Sequence, residues 1–434
     1  MKQIGVGLLG FGTVGAGVVD GLQRNRALLS DRLGVDIVMR RIADLDITTS
    51  RGVTVAPGVL TTDSQAVIAD PGVDIVVELI GGTGAARKLM MAALEAGKPV
   101  VTANKKLLAE HGEEIFALAH KRNVDIYFGA SVGGGIPIVR VLREGLVGNA
   151  VVRIHGILNG TCNYILTRME REGLPFDEVL AEAQRLGYAE ADPALDIDGF
   201  DTAHKAAILT LLSYGFHVPM DSLPIEGIRG LDGLDVQYAR ELGYRIKLLA
   251  TVARVGNAVE VRVGPTLVPL HHMLASVAGV FNAVMVRGDM SGDTLYYGRG
   301  AGREPTASTV IGDIADIARN LRTNQPRHVR TAQTALEKPR PCTAEEMRSA
   351  FYLRLMVKDQ AGSLGRFTSI LGKHGVSIAA VMQKAANGAG ADGFVPVVAL
   401  THSTPEASLN AALDEITASG VVSTRPVSLR MLEE

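Results

Sequence analysis

The chain opens on Met1-Lys-Gln-Ile-Gly-Val-Gly-Leu-Leu-Gly10-Phe11-Gly12-Thr13-Val14-Gly15, a run that leaves it few ways to start folding. Ile4–Leu9 is apolar and reads as a buried strand. Thr13 to about Arg26 has helical spacing. Between them Gly10, Gly12 and Gly15 form a G-x-G-x-x-G turn in the strand-to-helix context where that pattern carries meaning. The first glycine permits the tight turn, the second lets a pyrophosphate approach, and the third lets helix and strand pack closely. The backbone N–H groups of Phe11, Thr13 and Val14 are expected to face phosphates at the helix N-terminus. The bland alternative is a glycine-rich turn with no ligand; its place at the head of a βαβ unit favours a dinucleotide.

The rest of the first 130 residues keeps this rhythm. Asp36–Ile42, Ile75–Leu79, Val100–Thr102 and Asp125–Phe128 read as strands, with helices over Thr83–Ala96 and Leu107–Arg122. Such alternation predicts a Rossmann-type, doubly wound parallel sheet. Residues 131–310 are less regular and suggest a mixed α+β domain. Strands are expected at Val151–Ile157, Val259–Val268 and Asn282–Arg287, and helices at 160–172, 177–186, 201–214 and 238–250. A helix over Thr306–Arg322 is expected to return to the first domain. Residues 323–348, with Pro326, Pro339 and Pro341, read as a linker. Beyond it, strands Phe351–Val357, Val376–Lys384, Gly393–His402 and Val421–Met431 and helices Leu364–His374 and Pro405–Ala418 make a ferredoxin-like βαββαβ pattern.

Three places carry candidate chemistry. Asp44 ends the second strand, where a carboxylate can bind a ribose 2′-hydroxyl and favour NAD. Arg40 and Arg41 lie beside it and could instead accept the 2′-phosphate of NADP. Lys105, in Thr102-Ala-Asn-Lys105, follows a strand end, the edge where open α/β sheets bind ligands. The densest segment is Gly187–Lys205, which holds five carboxylates and one lysine. Asp201 and Lys205 are four apart and share one helix face. On its own this pair reads as a solvated ion pair. Preceded by Glu190, Asp192 and Asp196 on a loop shaped by Gly187, Pro193 and Gly199, it suits a substrate that carries an amino group. A lysine held by a carboxylate can pass a proton to a carbonyl oxygen during hydride transfer.

The block Ala183-x3-Gly187-Tyr-Ala-x2-Asp192-Pro193-x2-Asp196-Ile-x-Gly199-x-Asp201-x3-Lys205 resembles the homoserine dehydrogenase family. So do Glu78-Leu-Ile-Gly81-Gly82, Ser131-Val-Gly-Gly-Gly-Ile-Pro137, Gly156-Ile-Leu-Asn-Gly-Thr161 and Gly300-Ala-Gly302-Arg-Glu-Pro-Thr306. The likeness spans about residues 1–325 and assigns substrate binding and dimerisation to residues 131–310; the tail resembles an ACT-type regulatory domain. It implies NAD(P)-dependent interconversion of L-aspartate 4-semialdehyde and L-homoserine, in threonine and methionine biosynthesis. It places Lys205 as proton donor, Glu190 and Asp201 as homoserine-binding residues, and Lys105, Gly187 and Gly302 beside the cofactor. It also implies a sodium ion on backbone carbonyls at Val132, Gly134 and Ile136, although the family's usual glutamate ahead of that loop is Gly129 here. The turn at Gly362 and the helix after it suit a nest for an amino-acid carboxylate, the alternative being a purely structural dimerisation module; the family expectation is threonine as effector of a homodimer or homotetramer.

Bulk properties narrow the alternatives. At net charge −2 the chain offers no footprint for nucleic acid or an anionic membrane. No apolar run reaches the ~18 residues a membrane helix needs, and the N-terminus reads as a strand, not a signal peptide. With only Cys162 and Cys342, neither a disulfide framework nor a cysteine-rich metal site is open to it, and a cytoplasmic setting is expected. Cys162 invites comparison with aldehyde-oxidising thiols, but nothing near it in sequence would activate it. The competing readings are a catalytically silent NAD(P)-binding sensor and another amino-acid dehydrogenase.

Overall fold

A computed structural model describes residues 1–323, 339–383 and 393–433. Strands β1 (Lys2–Leu9), β2 (Val35–Ala43), β3 (Leu60–Thr61), β4 (Ile75–Glu78), β5 (Val100–Thr102) and β6 (Ile126–Tyr127) form one parallel sheet. Their order is β3-β2-β1-β4-β5-β6, so the order reverses between β1 and β4. Helices α1 (Thr13–Arg24), α2 (Arg26–Leu33), α3 (Ser64–Ala69), α4 (Ala85–Glu95) and α5 (Lys105–Arg122) cover its faces. The single helix expected to Arg26 is thus two, broken at Asn25.

After a loop from Gly129 come α6 (Ile138–Arg140) and a π-turn over Val141–Gly145. Helices α7 (Gly160–Glu172), α8 (Phe176–Arg185), α9 (Ala194–Ile197), α10 (Phe200–Tyr214) and α11 (Gly233–Glu241) follow. They accompany strands β7 (Val151–Ile157), β8 (Tyr244–Val255), β9 (Ala258–Pro269), β10 (Phe281–Gly288) and β11 (Gly292–Arg299) of a second sheet. The helix expected over 238–250 is a correction: α11 stops at Glu241, Gly243 turns at φ +85°, and the apolar run becomes β8. The final helix of this part, α12 (Arg303–Thr323), packs against α1. Gly17 of α1 fits because a Cβ there would lie 2.9 Å from the Arg303 backbone.

Residues 324–338 of the expected linker lie outside the described residues. The described remainder includes β12 (Arg340–Pro341), paired parallel with β9. The tail then runs β13 (Arg348–Lys358), α13 (Ser363–Lys373), β14 (Ile378–Gln383), β15 (Phe394–Thr401), β16 (Thr404–Pro405), α14 (Glu406–Ala418) and β17 (Val427–Met431). The expected end of β14 at Lys384 lies outside the described residues. The last strand is shorter than the expected Val421–Met431. The four long tail strands stand in the order β17-β13-β15-β14. β17 pairs parallel with β9, so the tail extends the central sheet to eleven strands, β11-β10-β7-β8-β9-β17-β13-β15-β14 with β12 beside β9 and β16 beside β13. A buried fork reinforces the seam: Arg354 donates to both oxygens of Asp235, at 2.6 and 2.8 Å, and Tyr352 donates to the first. No helix among the described residues is long and apolar enough to cross a membrane.

Candidate active site

The crevice at the reversal of the parallel sheet is where such sheets bind ligands, and the glycine fingerprint stands at its mouth. Gly10 turns at φ +98°, a conformation that favours glycine. A Cβ on Gly15 would lie 2.2 Å from the Gly10 carbonyl oxygen, whereas one on Gly12 would meet nothing within 4 Å. Gly15 is therefore fixed by packing, while the space beside Gly12 is open for a ligand. Of the three N–H groups expected to face phosphates, that of Phe11 donates instead to Asp44 at 2.5 Å. Asp44 also takes the Asp46 N–H at 2.9 Å, so it braces the fingerprint loop. Arg40 donates to Gln3 at 2.7 Å and Arg41 to Asp70 at 2.9 Å, both directed away from Asp44.

Lys105 is aimed by a buried relay. Glu78 accepts the Ile80 and Gly81 N–H groups on one oxygen and the Thr102 hydroxyl on the other, at 2.6 Å. Thr102 accepts the Asn104 N–H, and Asn104 caps α5 by accepting the Leu107 N–H. This fixes the start of α5, and with it Lys105.

A cleft of about 570 Å³ joins this edge to the second domain. Val14, Lys105, Gly187, Glu190, Asp201 and Lys205 all line it, as does Gly302. Asp201 and Lys205 stand one turn apart on α10, both buried. One oxygen of Asp201 meets Lys105 at 2.8 Å and the other Lys205 at 2.6 Å. Lys205 also donates to the Leu158 carbonyl at 2.6 Å. Burial alone would push the Asp201 carboxyl up, but Lys205 and Lys105 outweigh it and hold it well below the usual carboxylate range. Burial pushes the Lys205 ammonium below an ordinary lysine, with Asp201 opposing. At Lys105 burial pulls the same way, but Asp201, Asp196 and Glu190 prevail and raise it. The arrangement is an ionised carboxylate between two lysines, Lys205 held below the ordinary lysine value and Lys105 above it.

Sequence reasoning left Asp196 without a role and overlooked Asn159. The Asn159 amide donates to Asp196 at 2.7 Å and to Asp201 at 2.9 Å, while its oxygen caps α7 through the Cys162 N–H. Thr161 donates to Asp196 at 3.1 Å. An Asn at a helix start after a strand is the signal that could have exposed this bridge. Asn282 also lines the cleft; its side-chain oxygen is buried without a partner. Asp198 pairs with Arg229 and Asp192 caps Ala194, both away from the cleft. Cys162 is buried, its thiol pushed well up by burial, so it is a packing residue.

In the loop after β6, the Gly134 carbonyl accepts the Thr309 hydroxyl at 2.7 Å and that of Ile136 accepts the Ile138 N–H at 2.8 Å. Gly129 donates to Asp313, whose carboxyl burial pushes up to about 7. A Cβ on Gly129 would lie 2.9 Å from that carboxylate, so no longer side chain fits there without displacing Asp313. Among the described residues no group of three or more His, Cys, Asp or Glu could hold a metal, leaving carbonyl oxygens as the donors of this loop.

Residues 10–129 match the model of the homoserine dehydrogenase NAD-binding domain, and 137–315 that of homoserine dehydrogenase. A homoserine dehydrogenase of Neisseria gonorrhoeae is 45% identical, covering 100% of this chain and 99% of the relative. The crystal structure of one from Thiobacillus denitrificans superposes with TM-score 0.94 at 45% identity, over 100% of this chain and 99% of that one. A hyperthermophilic archaeal homoserine dehydrogenase in complex with NADPH is 30% identical, TM-score 0.63, and covers 75% of this chain with 100% of its own.

Proposed function

The chain belongs to the homoserine dehydrogenase family, and on that premise we propose how its own residues carry out the oxidoreduction between L-aspartate 4-semialdehyde and L-homoserine. Bound nicotinamide supplies or accepts the hydride. The open space at Gly12 and the N-terminus of α1 fit its pyrophosphate, with Gly187, Gly302 and Lys105 toward its far end. Glu190 and Asp201 take the substrate ammonium side, and Lys205 donates the proton to the aldehyde oxygen on reduction and removes it on oxidation. Lys105 shares the charge of Asp201 and keeps that carboxylate ionised. The observation that carries this reading is the single carboxylate held between Lys105 and Lys205 in a cleft that begins at the fingerprint. The test is NAD(P)H oxidation with the semialdehyde, comparing wild type with Lys205→Ala. Absent turnover in wild type defeats the enzyme reading, and near-normal turnover in the variant defeats only the role of Lys205.

For the cofactor we favour NAD, because Asp44 sits at the strand end and both neighbouring arginines are engaged elsewhere. The archaeal relative bound to NADPH favours the alternative; a large NADP preference in kcat/KM removes the Asp44 argument. A sodium ion in the loop after β6 would rest on the carbonyls of Val132, Gly134 and Ile136, without any side chain from Gly129. Sodium-dependent thermal stability, absent with choline, tests it apart from turnover.

The residues divide as a cofactor domain over 1–130, a substrate and dimerisation domain over 131–310 and an ACT-type regulatory tail over 349–434. Gly362 turns at φ +91° into α13, and the Ser363 hydroxyl is buried there without a partner, which supports an amino-acid site. The archaeal relative, matched along its whole length on 75% of this chain, supports a tail added to a shorter catalytic part. Gly362→Asp should leave turnover intact and abolish inhibition by L-threonine; unchanged inhibition rejects the site. Among the described residues β14 ends the sheet, and an end strand offers an edge on which a second copy could pair, which supports a homodimer or homotetramer; light scattering of the purified chain decides the number. Two unpaired cysteines fit a cytoplasmic setting.

A further inference from the structure

The turn that carries Asp196 and Asp198 is gripped from behind by a segment with no place in the cleft, Pro224–Arg229. The Ile228 N–H donates to the Ile197 carbonyl at 2.7 Å. Gly227 lies so close that a Cβ there would stand 2.1 Å from the Ile197 oxygen and 2.5 Å from the Asp198 Cα. Arg229 forks onto Asp198 at 2.8 and 3.1 Å. On its other side the segment is tied to β9: the Glu226 N–H donates to Val263 at 2.9 Å and the Val263 N–H to Pro224 at 3.0 Å. Ile225 packs so close to the Gly199 turn that a Cβ on Gly199 would lie 3.0 Å from its methyl.

We propose that Pro224–Arg229 is a positioning strut that sets Asp196 and Asp201 for substrate. Asp196 and Asp201 are joined through Asn159, and Phe200 opens α10, which carries Asp201 and Lys205. A displacement of the 196–199 turn therefore reaches both catalytic-face carboxylates, while the fingerprint, on a separate sheet, stays in place. The strut also hangs on the strand that β17 of the tail extends, and Arg430 of β17 stands 3.6 Å from Glu226. On the sensor reading of the tail given above, the strut is the route from tail to site; the positioning role does not depend on that reading.

Two variants test it in the full chain. In Gly227→Ala the new methyl forces the 196–199 turn to shift; with one charge-assisted contact to the substrate weakened, KM for homoserine should rise about tenfold while KM for the cofactor stays within about twofold. Arg229→Gln removes only the exposed fork onto Asp198, and its homoserine KM should rise about threefold. Cooperative melting establishes that each variant is folded. Two folded variants with the wild-type homoserine KM, or with both KM values raised equally, overturn the strut. Loss of L-threonine inhibition alone, with homoserine KM unchanged, overturns the positioning role and leaves the tail reading standing.

Discussion

Replacing Asp201 by Asn removes one charge and little volume from the centre of the site. In the native chain that carboxylate meets Lys205 at 2.6 Å and Lys105 at 2.8 Å, and it is buried. Removing one partner of a buried ion pair costs about 3–5 kcal/mol, because the remaining charge is left uncompensated. At about 1.4 kcal/mol per pKa unit, a cost of that size, borne by one remaining lysine, lowers its pKa by at least about two units. Lys205 bears it, since burial already holds its ammonium below the ordinary lysine value and Asp201 is the main group opposing that shift. A depressed lysine keeps its proton only at lower pH. Reduction of the semialdehyde needs Lys205 charged, so its alkaline limb in kcat/KM should move down by about two units in Asp201→Asn. Oxidation of homoserine needs Lys205 neutral, so its acid limb should move down by the same amount. The assay is nicotinamide absorbance in both directions across pH, with limb position read separately from the lowered amplitude. An unmoved limb, or one that moves up, refutes the coupling of Asp201 to Lys205.

The fingerprint glycines should separate by role. Gly12→Ala should melt as wild type yet bind cofactor at least about tenfold more weakly by fluorescence titration, whereas Gly15→Ala, clashing with the Gly10 carbonyl, should lose about 1–3 kcal/mol in urea unfolding; the reverse pattern contradicts the packing argument. His155 is held down to about 3 by burial, with Arg153 and Arg262 adding to it. Its unfolded form takes a proton below about 6.5, so its contribution is complete above that pH and is lost as pH falls toward 3, at most about 5 kcal/mol. His155→Phe should flatten the acid arm of the stability curve; parallel curves reject the assignment. Cys162→Ala should keep kcat within about twofold, because burial leaves its thiol protonated, and a hundredfold loss would return thiol chemistry to the site.

What the sequence discloses and what it hides follow from how local each constraint is. Gly10, Gly12 and Gly15 are set by a turn and its neighbours within six residues, so the fingerprint and the helix after it are legible. The pair Asp201 and Lys205 is legible as well, because helix geometry alone brings residues four apart together. Its chemistry is not: the partner that makes it more than a surface ion pair, Lys105, arrives from the start of α5, nearly a hundred residues earlier, and Asn159 bridges Asp196 and Asp201 from 37 and 42 residues away. The error at 238–250 has a different cause. β8 is buried along eight consecutive residues, from Ile246 to Ala253, because both its faces are covered. A strand buried on both sides shows no alternation, and a continuous apolar run can be read as a helix. Even Lys247 in that run does not betray it, since its ammonium is satisfied inside by the Val277 carbonyl and Asn163. The joining of the tail to the central sheet is hidden for the same reason as Lys105. Arg430 and Met431 pair with Thr266 and Leu267 across some 160 residues, and Arg354 meets Asp235 across 119. Cutting the chain after the linker therefore removes more than a sensor. It opens the edge of β9 and strips Asp235 of Arg354 and Tyr352, which donate to it across the seam. A truncated chain that loses activity would accordingly report on this seam, and only a substitution inside the tail, such as Gly362→Asp, isolates regulation from stability.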